Sequence, residues 1–175
     1  MLKENEWEHF ATCLHPLSVA RNSFVLKEGQ ISDSILFVLK GAFRHFFLKE
    51  GNEINTSFSF ENSFVSNTRS LTQQLPSDQF IIAMEDSEVI RMRRTDLFAM
   101  YQSIPSFEVI GRQILQSMVV EQESRAALFM RYTPEERYKK LMNEQAEILR
   151  RVPLQHIASY LGIARETLSR IRNKL

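Results

Sequence analysis

The apolar positions of this chain change period twice. Over residues 4–15 (ENEWEHFATCLH), Trp7, Phe10 and Leu14 fall at helical spacing, which predicts a short amphipathic helix ahead of Pro16. From residue 23 the period becomes that of strands. SFVLK, ILFVLKG, AFRHFFL, INTSFSF, QFIIAM and EVIRMR are short β-branched and aromatic runs, separated by KEGQISDS, Gly41, KEGNE, SLTQQLPSD and EDS. Lys49-Glu50-Gly51-Asn52 reads as a hairpin turn in which Gly51 or Asn52 takes positive φ. Strands this short and closely spaced predict an antiparallel barrel or jelly roll, with Phe58, Phe60, Phe64 and Phe80 read as filling it.

Helical periodicity returns at Thr95-Asp96, a cap ahead of LFAMYQ, and breaks at Pro105. Phe107 to Met130 then reads as one long helix with only Gly111 against it. Leu115, Met118, Val119, Ala126 and Phe129 recur by threes and fours around the polar Gln122. That pattern fits a coiled-coil seam with a register-setting position, or a stripe that packs on the barrel. Thr133-Pro134-Glu135-Glu136 is a helix start, with Thr133 as cap, Pro134 at the first helical position and Glu136 closing a capping box. A domain boundary is expected near 131–133.

Charge changes at the same place. The 175 residues carry a formal net charge of +1, yet residues 131–175 hold ten Lys/Arg against five Asp/Glu, while residues 1–130 hold twelve against sixteen. An acidic body with a basic end suits a polyanion-binding end, although a solvated face has the same composition. The single cysteine, Cys13, excludes a disulfide framework and any zinc or iron–sulfur site built on several thiolates of one chain. The chain lacks an apolar run of membrane-spanning length and a signal segment at its start, so a soluble, cytoplasmic protein without membrane contact is expected. It also lacks G-x-S-x-G, a phosphate-cradling glycine loop and HExxH; no catalytic residue and no metal ligand is assigned, and an enzyme is not expected.

Residues 153–174 (PLQHIASYLGIARETLSRIRNK) carry the strongest motif. Pro153 starts one helix, Gly162 breaks it, and a second resumes near Ala164. Ala158, Gly162 and Leu168 stand at positions 5, 9 and 15 of a helix-turn-helix counted from Leu154. Each has a physical reason: Ala158 is small where two helices cross, Gly162 supplies a left-handed turn, and Leu168 fills the wedge with Ile157, Leu161, Ile163 and Ile171. This geometry offers the second helix to the DNA major groove. Its apolar side is Leu168, Ile171 and Leu175; Arg165, Glu166, Ser169 and Arg170 lie opposite. Arginine can donate twice to guanine, glutamate can accept from cytosine, and Thr167 and Ser169 suit phosphates. Gln155, Arg172 and Lys174 complete the expected DNA-contacting set. A surface helix laced by a Glu166–Arg170 pair would use the same residues.

These motifs together resemble the Crp/Fnr family of bacterial transcription regulators over nearly the whole chain. FVLKEGQISDSILFVLKGAFRHFF is similar to the opening of that family's cyclic-nucleotide-binding-type β-roll, residues 105–130 to its dimerisation helix, and ARETLSRI to its recognition helix. The form HIASYLGI…ETLSRIR is most similar to members from the Bacteroidetes. The resemblance implies an α+β chain: an N-terminal antiparallel β-roll or jelly-roll sensor over 1–106, a long dimerisation helix and hinge over 107–132, and a helix-turn-helix domain over 133–175. It implies a homodimer through Leu115, Met118, Val119, Gln122, Ala126 and Phe129. Its partners would be double-stranded DNA at an inverted-repeat operator and, if the outcome is activation, RNA polymerase.

The chain departs from the family at the effector. Cyclic-AMP-binding members hold the ribose with a Gly-Glu pair and the phosphate with an Arg-Ser or Arg-Thr pair. Aligned from Phe64-Val65, those places hold Ser66-Asn67 and Ser77-Asp78, and Val120-Glu121 stands for the Thr-Ser pair that meets the purine. An acid where the phosphate needs a cation repels the ligand. Arg69 is the basic residue of that loop. These seven residues are the candidate effector pocket; cyclic AMP is not expected there, and an unknown small effector is left open. Haem through His9, His15, His45 or His156 has no distinctive spacing, and His156 reads as a surface or phosphate-side residue. Ala164 lacks the side-chain cap that often opens a recognition helix, at a cost of about 1 kcal/mol. The chain stops at Leu175, where many members continue into a strand pair, so fewer DNA backbone contacts are expected. The alternative reading is a ligand- or protein-binding signalling module with weak or vestigial DNA binding.

Overall fold

The computed structural model describes residues 3–174, apart from the side chain of Glu121. Leu175, expected on the apolar side of the last helix, and the Glu121 side chain, expected at the effector, lie outside the described residues. The chain divides into two compact units, one running to Phe47 and resuming over Ser57–Ile114, the other made of Leu48–Thr56 and the chain from Leu115 on. The division therefore falls inside the long helix, eight residues beyond the expected end of the sensor domain at 106.

The strands belong to the first unit, except for Leu48–Thr56, which belongs to the second. After helix α1 (Glu4–Thr12) come β1 (His15–Val19), β2 (Phe24–Leu26), β3 (Ser34–Lys40), β4 (Phe43–Lys49), β5 (Asn52–Ser59), β6 (Phe64–Val65), the short helix α2 (Thr68–Gln73), β7 (Phe80–Ala83), β8 (Ser87–Arg93) and α3 (Arg94–Ser103). They form two four-stranded sheets, ordered β1-β8-β3-β6 and β2-β7-β4-β5, and the recorded pairings are antiparallel. Alternation puts one face of each strand inward, and Leu26, Leu36, Val38, Phe43, Val65, Ile81, Ala83 and Val89 form the core. A second cluster joins Met92, Met100, Ile104 and Phe107, with Phe10 and Leu14 packed on it.

Several local expectations are corrected. The first helix ends at Thr12, and His15, expected at its end, opens the edge strand His15–Val19 paired with β8; an edge tolerates Pro16 because one side of the strand needs no donor. Trp7 stays 55% exposed. In the β4–β5 turn Gly51 takes positive φ (79°), as expected, and Glu50 joins it (52°). The helix expected to start at a Thr95-Asp96 cap begins at Arg94, its cap position held by Arg93 without a side-chain bond. Phe58, Phe60, Phe64 and Phe80 are not the filling of the barrel: none of them is buried. Phe80 instead stacks on Phe46 (5.0 Å between ring centroids) and meets Phe24 edge-on (5.8 Å). Aromatic residues on both faces of a strand read alike in sequence.

Helix α4 (Pro105–Arg131) is 27 residues long with proline at its first position. Gly111 is where Tyr101 approaches: a Cβ there would lie 2.3 Å from the Tyr101 hydroxyl. In the second unit follow α5 (Pro134–Glu144), α6 (Ala146–Arg151), α7 (Leu154–Tyr160) and α8 (Arg165–Arg172). The capping box forms as expected. Thr133 Oγ1 accepts from the Glu136 N–H, and the Thr133 N–H and hydroxyl donate to Glu136 Oε2 at 2.8 and 2.9 Å, which holds that carboxyl below its usual range.

Candidate functional site

The helix-turn-helix is α7, its turn and α8. Ala158 (2% exposed), Leu161 and Leu168 (both 0%) close the wedge with Ile157 and Ile171. Gly162 has φ +67°, which favours glycine at the turn, and a Cβ there would come 3.1 Å from the Phe129 ring, a tight contact. The Ile163 N–H donates to the Ala158 carbonyl at 3.0 Å, and Arg137 Nη1 donates to the Leu161 carbonyl at 2.5 Å, fixing the turn from α5. α8 starts from Ala164 with no side-chain cap.

With Leu168 and Ile171 buried, the remaining faces of α8 point to water. Arg165, Glu166, Ser169, Arg170, Arg172 and, past the helix, Lys174 are exposed, as is Gln155 on α7; Thr167 is half-buried. Among the described residues Glu166 makes no ion pair with Arg170. The Arg170 guanidinium donates to Thr167 Oγ1 at 3.3 Å instead. The helix is therefore not tied up as a laced surface helix, and its basic groups are available to a ligand.

His156, expected as a surface or phosphate-side residue, is half-buried and within 3.4 Å of the Asn55 side-chain nitrogen through Nδ1. Its neighbour Ser159 accepts from the Asn55 N–H (3.0 Å) and donates to the Glu53 carbonyl (2.8 Å). Arg125 Nη2 donates to the Asn55 carbonyl (3.2 Å), and its guanidinium lies 4.2 Å from the Tyr160 ring centroid. Within the second unit, then, the β4–β5 hairpin tip is stitched to α7 and α4 around Asn55, which is 1% exposed. No sequence signal announced this: the partners are polar and lie 104 residues apart.

On α4 the expected seam stays uncovered in the single chain. Leu115, Val119 and Phe129 are 48%, 57% and 42% exposed, Gln122 and Ala126 are exposed, and Met118 is half-buried. Exposed apolar residues at this spacing make a face that water does not favour.

The cassette loop spends its polar groups on itself. Asn67 Oδ1 caps α2 by accepting from the Ser70 N–H (3.0 Å), while its Nδ2 donates to Ser77 Oγ (3.0 Å) and Asp78 Oδ1 (3.2 Å). Ser70 Oγ accepts from the Ser32 N–H and donates to the Leu75 carbonyl; Ser66 Oγ lies 3.2 Å from Ser32 Oγ. Arg69 and Asp78 form an exposed pair at 3.6 Å. A cyclic phosphate would meet one neutralised guanidinium and a carboxylate. Val120 is exposed on α4. Nearby on β4, burial lowers the His45 imidazole from 6.5 to about 4, so it is neutral at pH 7, with Nε2 at 3.1 Å from Ser59 Oγ.

Residues 16–103 match the cyclic nucleotide-binding domain model, half of the chain. The chain belongs to the cyclic nucleotide-binding domain family. The fold of the solved relatives extends further. The c-di-GMP responsive global regulator CLP of Xanthomonas campestris aligns at TM-score 0.77 and 15% identity, over 98% of this chain and 91% of that one. FixK2 of Bradyrhizobium japonicum aligns at 0.77 and 18%, over 93% and 84%, and the catabolite activator protein of Thermus thermophilus at 0.61 and 19%, over 99% and 84%. No curated protein matches the sequence. Membership in the cyclic nucleotide-binding domain family is a statement about the barrel; what that barrel holds is set by its side chains. Among the described residues no His/Cys/Asp/Glu group is arranged for a metal, and no helix is long and apolar enough to cross a membrane.

Proposed function

We propose that the chain is a homodimeric, sequence-specific transcription regulator of the Crp/Fnr type whose effector is not cyclic AMP. The Crp/Fnr-like fold supports transcription regulation in general, and the similar structures are regulators rather than enzymes. One observation carries the finer reading: α8 buries Leu168 and Ile171 against α7 and leaves Arg165, Glu166, Ser169 and Arg170 exposed on the other side. A helix held in this way enters the major groove with its N-terminal residues at the base edges. There Arg165 and Arg170 each read a guanine, and Glu166 reads a cytosine on the opposite strand. Arg172, Lys174, Thr167 and Gln155 hold phosphates, which fix register without reading sequence.

Dimerisation through Leu115, Met118, Val119, Gln122, Ala126 and Phe129 covers the exposed α4 face and sets two reading helices on a two-fold axis. The target is then an inverted repeat with half-site centres about 34–36 Å apart. The self-satisfied Asn67–Ser77–Asp78 network supports the exclusion of cyclic AMP. Selection from random DNA with the purified protein tests the reading. It should enrich an inverted repeat, with affinity falling steeply as salt rises. Enrichment of nothing above background would contradict it and favour a signalling module.

A further inference from the structure

The first unit holds an open cavity of about 890 Å³ between β1–β2 and the inner faces of β3 and β6. It lies beside the cassette loop rather than in it: of the cassette residues, Ser66 lines it, whereas Asn67, Arg69, Ser77 and Asp78 do not. Its floor is apolar, formed by Val19, Leu26, Leu36, Val65 and Ile81 of the barrel core, while the rest of the lining is largely polar, with Gln30, Ser32, Asp33 and Ser66 among it. A volume of this order holds a small organic ligand.

Two charged side chains, Arg91 and Asp33, line the cavity above that floor. Ser87, Val89 and Arg91 alternate along β8 on the face that carries the core, and Arg91 lines the cavity. The Arg91 side chain is 37% exposed, and its partner is Asp33, whose Oδ2 accepts from Arg91 Nη2 at 2.8 Å. Asp33 is 73% exposed on its loop, its other oxygen accepting from Ser34 Oγ. The Nε–H of Arg91 is buried and has no acceptor. Nε and Nη2 form the side-on edge by which a guanidinium grips a carboxylate through two parallel bonds, so this edge is half used. Exposed ion pairs contribute little, which makes Asp33 a weak competitor for the site.

We infer that this cavity binds a monocarboxylate with an apolar body, a medium-chain fatty acid or an aryl carboxylate, whose carboxylate takes the Nε/Nη2 edge of Arg91 from Asp33 while its body covers the Val19–Leu26–Leu36 floor. Once Asp33 is displaced, one guanidinium beside an apolar floor matches one negative charge and a hydrocarbon, whereas the Asp33 carboxylate in the same lining repels a more highly charged phosphate. The inference concerns the barrel alone, so it stands or falls separately from DNA reading.

The test is calorimetric titration of the full chain with octanoate and with octan-1-ol, which shares the body and lacks the carboxylate. Octanoate should bind at least tenfold more tightly than octan-1-ol. Arg91→Met should remove that preference, leaving octan-1-ol binding unchanged. Asp33→Asn should do the opposite and tighten octanoate severalfold, because it frees the edge. If Arg91→Met fails to fold, Asp33→Asn decides. Equal binding of acid and alcohol, no binding of octanoate by wild type, or weaker binding by Asp33→Asn would each overturn the inference. DNA selection on the same preparation is read independently, so a failure of either claim is recognised as its own.

Discussion

Leu168→Ala is the perturbation that asks most of the helix-turn-helix geometry. Leu168 is 0% exposed between α7 and α8, next to Ala158 at 2% and Leu161 at 0%. The change removes Cγ and both methyl groups from a filled wedge. At about 0.8 kcal/mol per methylene-sized group the transfer loss is about 2.4 kcal/mol, and incomplete closure of the cavity raises it to about 3 kcal/mol. Beside Leu168, α8 is held by the buried Ile171, while Ala164 provides no cap and the helix spans only eight residues. The measurement is urea unfolding followed by far-ultraviolet circular dichroism, with Ser169→Ala as the control on the exposed face. Ser169→Ala should stay within about 0.5 kcal/mol of wild type. A loss below about 1 kcal/mol for Leu168→Ala would mean that the wedge collapses freely, and the tight packing inferred for the turn would be refuted.

Three other outcomes follow from the same geometry. Met118→Glu sets a charge in the α4 seam, and sedimentation should show the wild-type dimer shifted toward monomer; a wild type that is monomeric at all concentrations would remove the seam altogether. Calorimetry should detect no cyclic AMP binding at micromolar concentrations, because Asn67 and Asp78 already use the cassette's polar groups on each other; a micromolar dissociation constant would refute this. His45 is lowered by burial to about 4 in the folded chain, so between pH 6.5 and 4 the unfolded chain takes up the proton first. The stability contributed by its neutral form is therefore fully present above pH 6.5 and declines as pH falls, by about 3 kcal/mol at pH 4. His45→Gln should flatten that slope in urea titrations at several pH values, and an unchanged slope would show that another group causes it.

What could be read from the chain was whatever is dictated locally. The Ala158/Gly162/Leu168 spacing is such a case, because crossing distance, turn handedness and wedge filling each restrict one residue type. Thr133-Pro134-Glu135-Glu136 is another, since its donors and acceptors are three residues apart. β1 was hidden because Pro16 looks like a helix stop, while its strand character comes from pairing with residues 87–91. The two-residue β6 and six-residue α2 are shorter than any period that could announce them. Phe80 is half-buried and stacks on Phe46, which is itself buried, and strand periodicity cannot choose which residues of an aromatic run are buried. The polar stitching of Asn55 to Ser159 and the inward placement of Arg91 against Asp33 arise only when distant segments meet.

The central claim is that the exposed face of α8 reads base edges. It is tested most directly by a base-by-base binding profile of wild type against Arg170→Ala at fixed salt, on the inverted repeat recovered by selection. Arg170→Ala should cost roughly 1–3 kcal/mol and relax preference at one base pair in each half-site, whereas Arg172→Ala should weaken all sequences alike and flatten the salt slope. A profile that keeps its shape while affinity falls uniformly would make Arg170 a phosphate contact and contradict the assignment of the reading face.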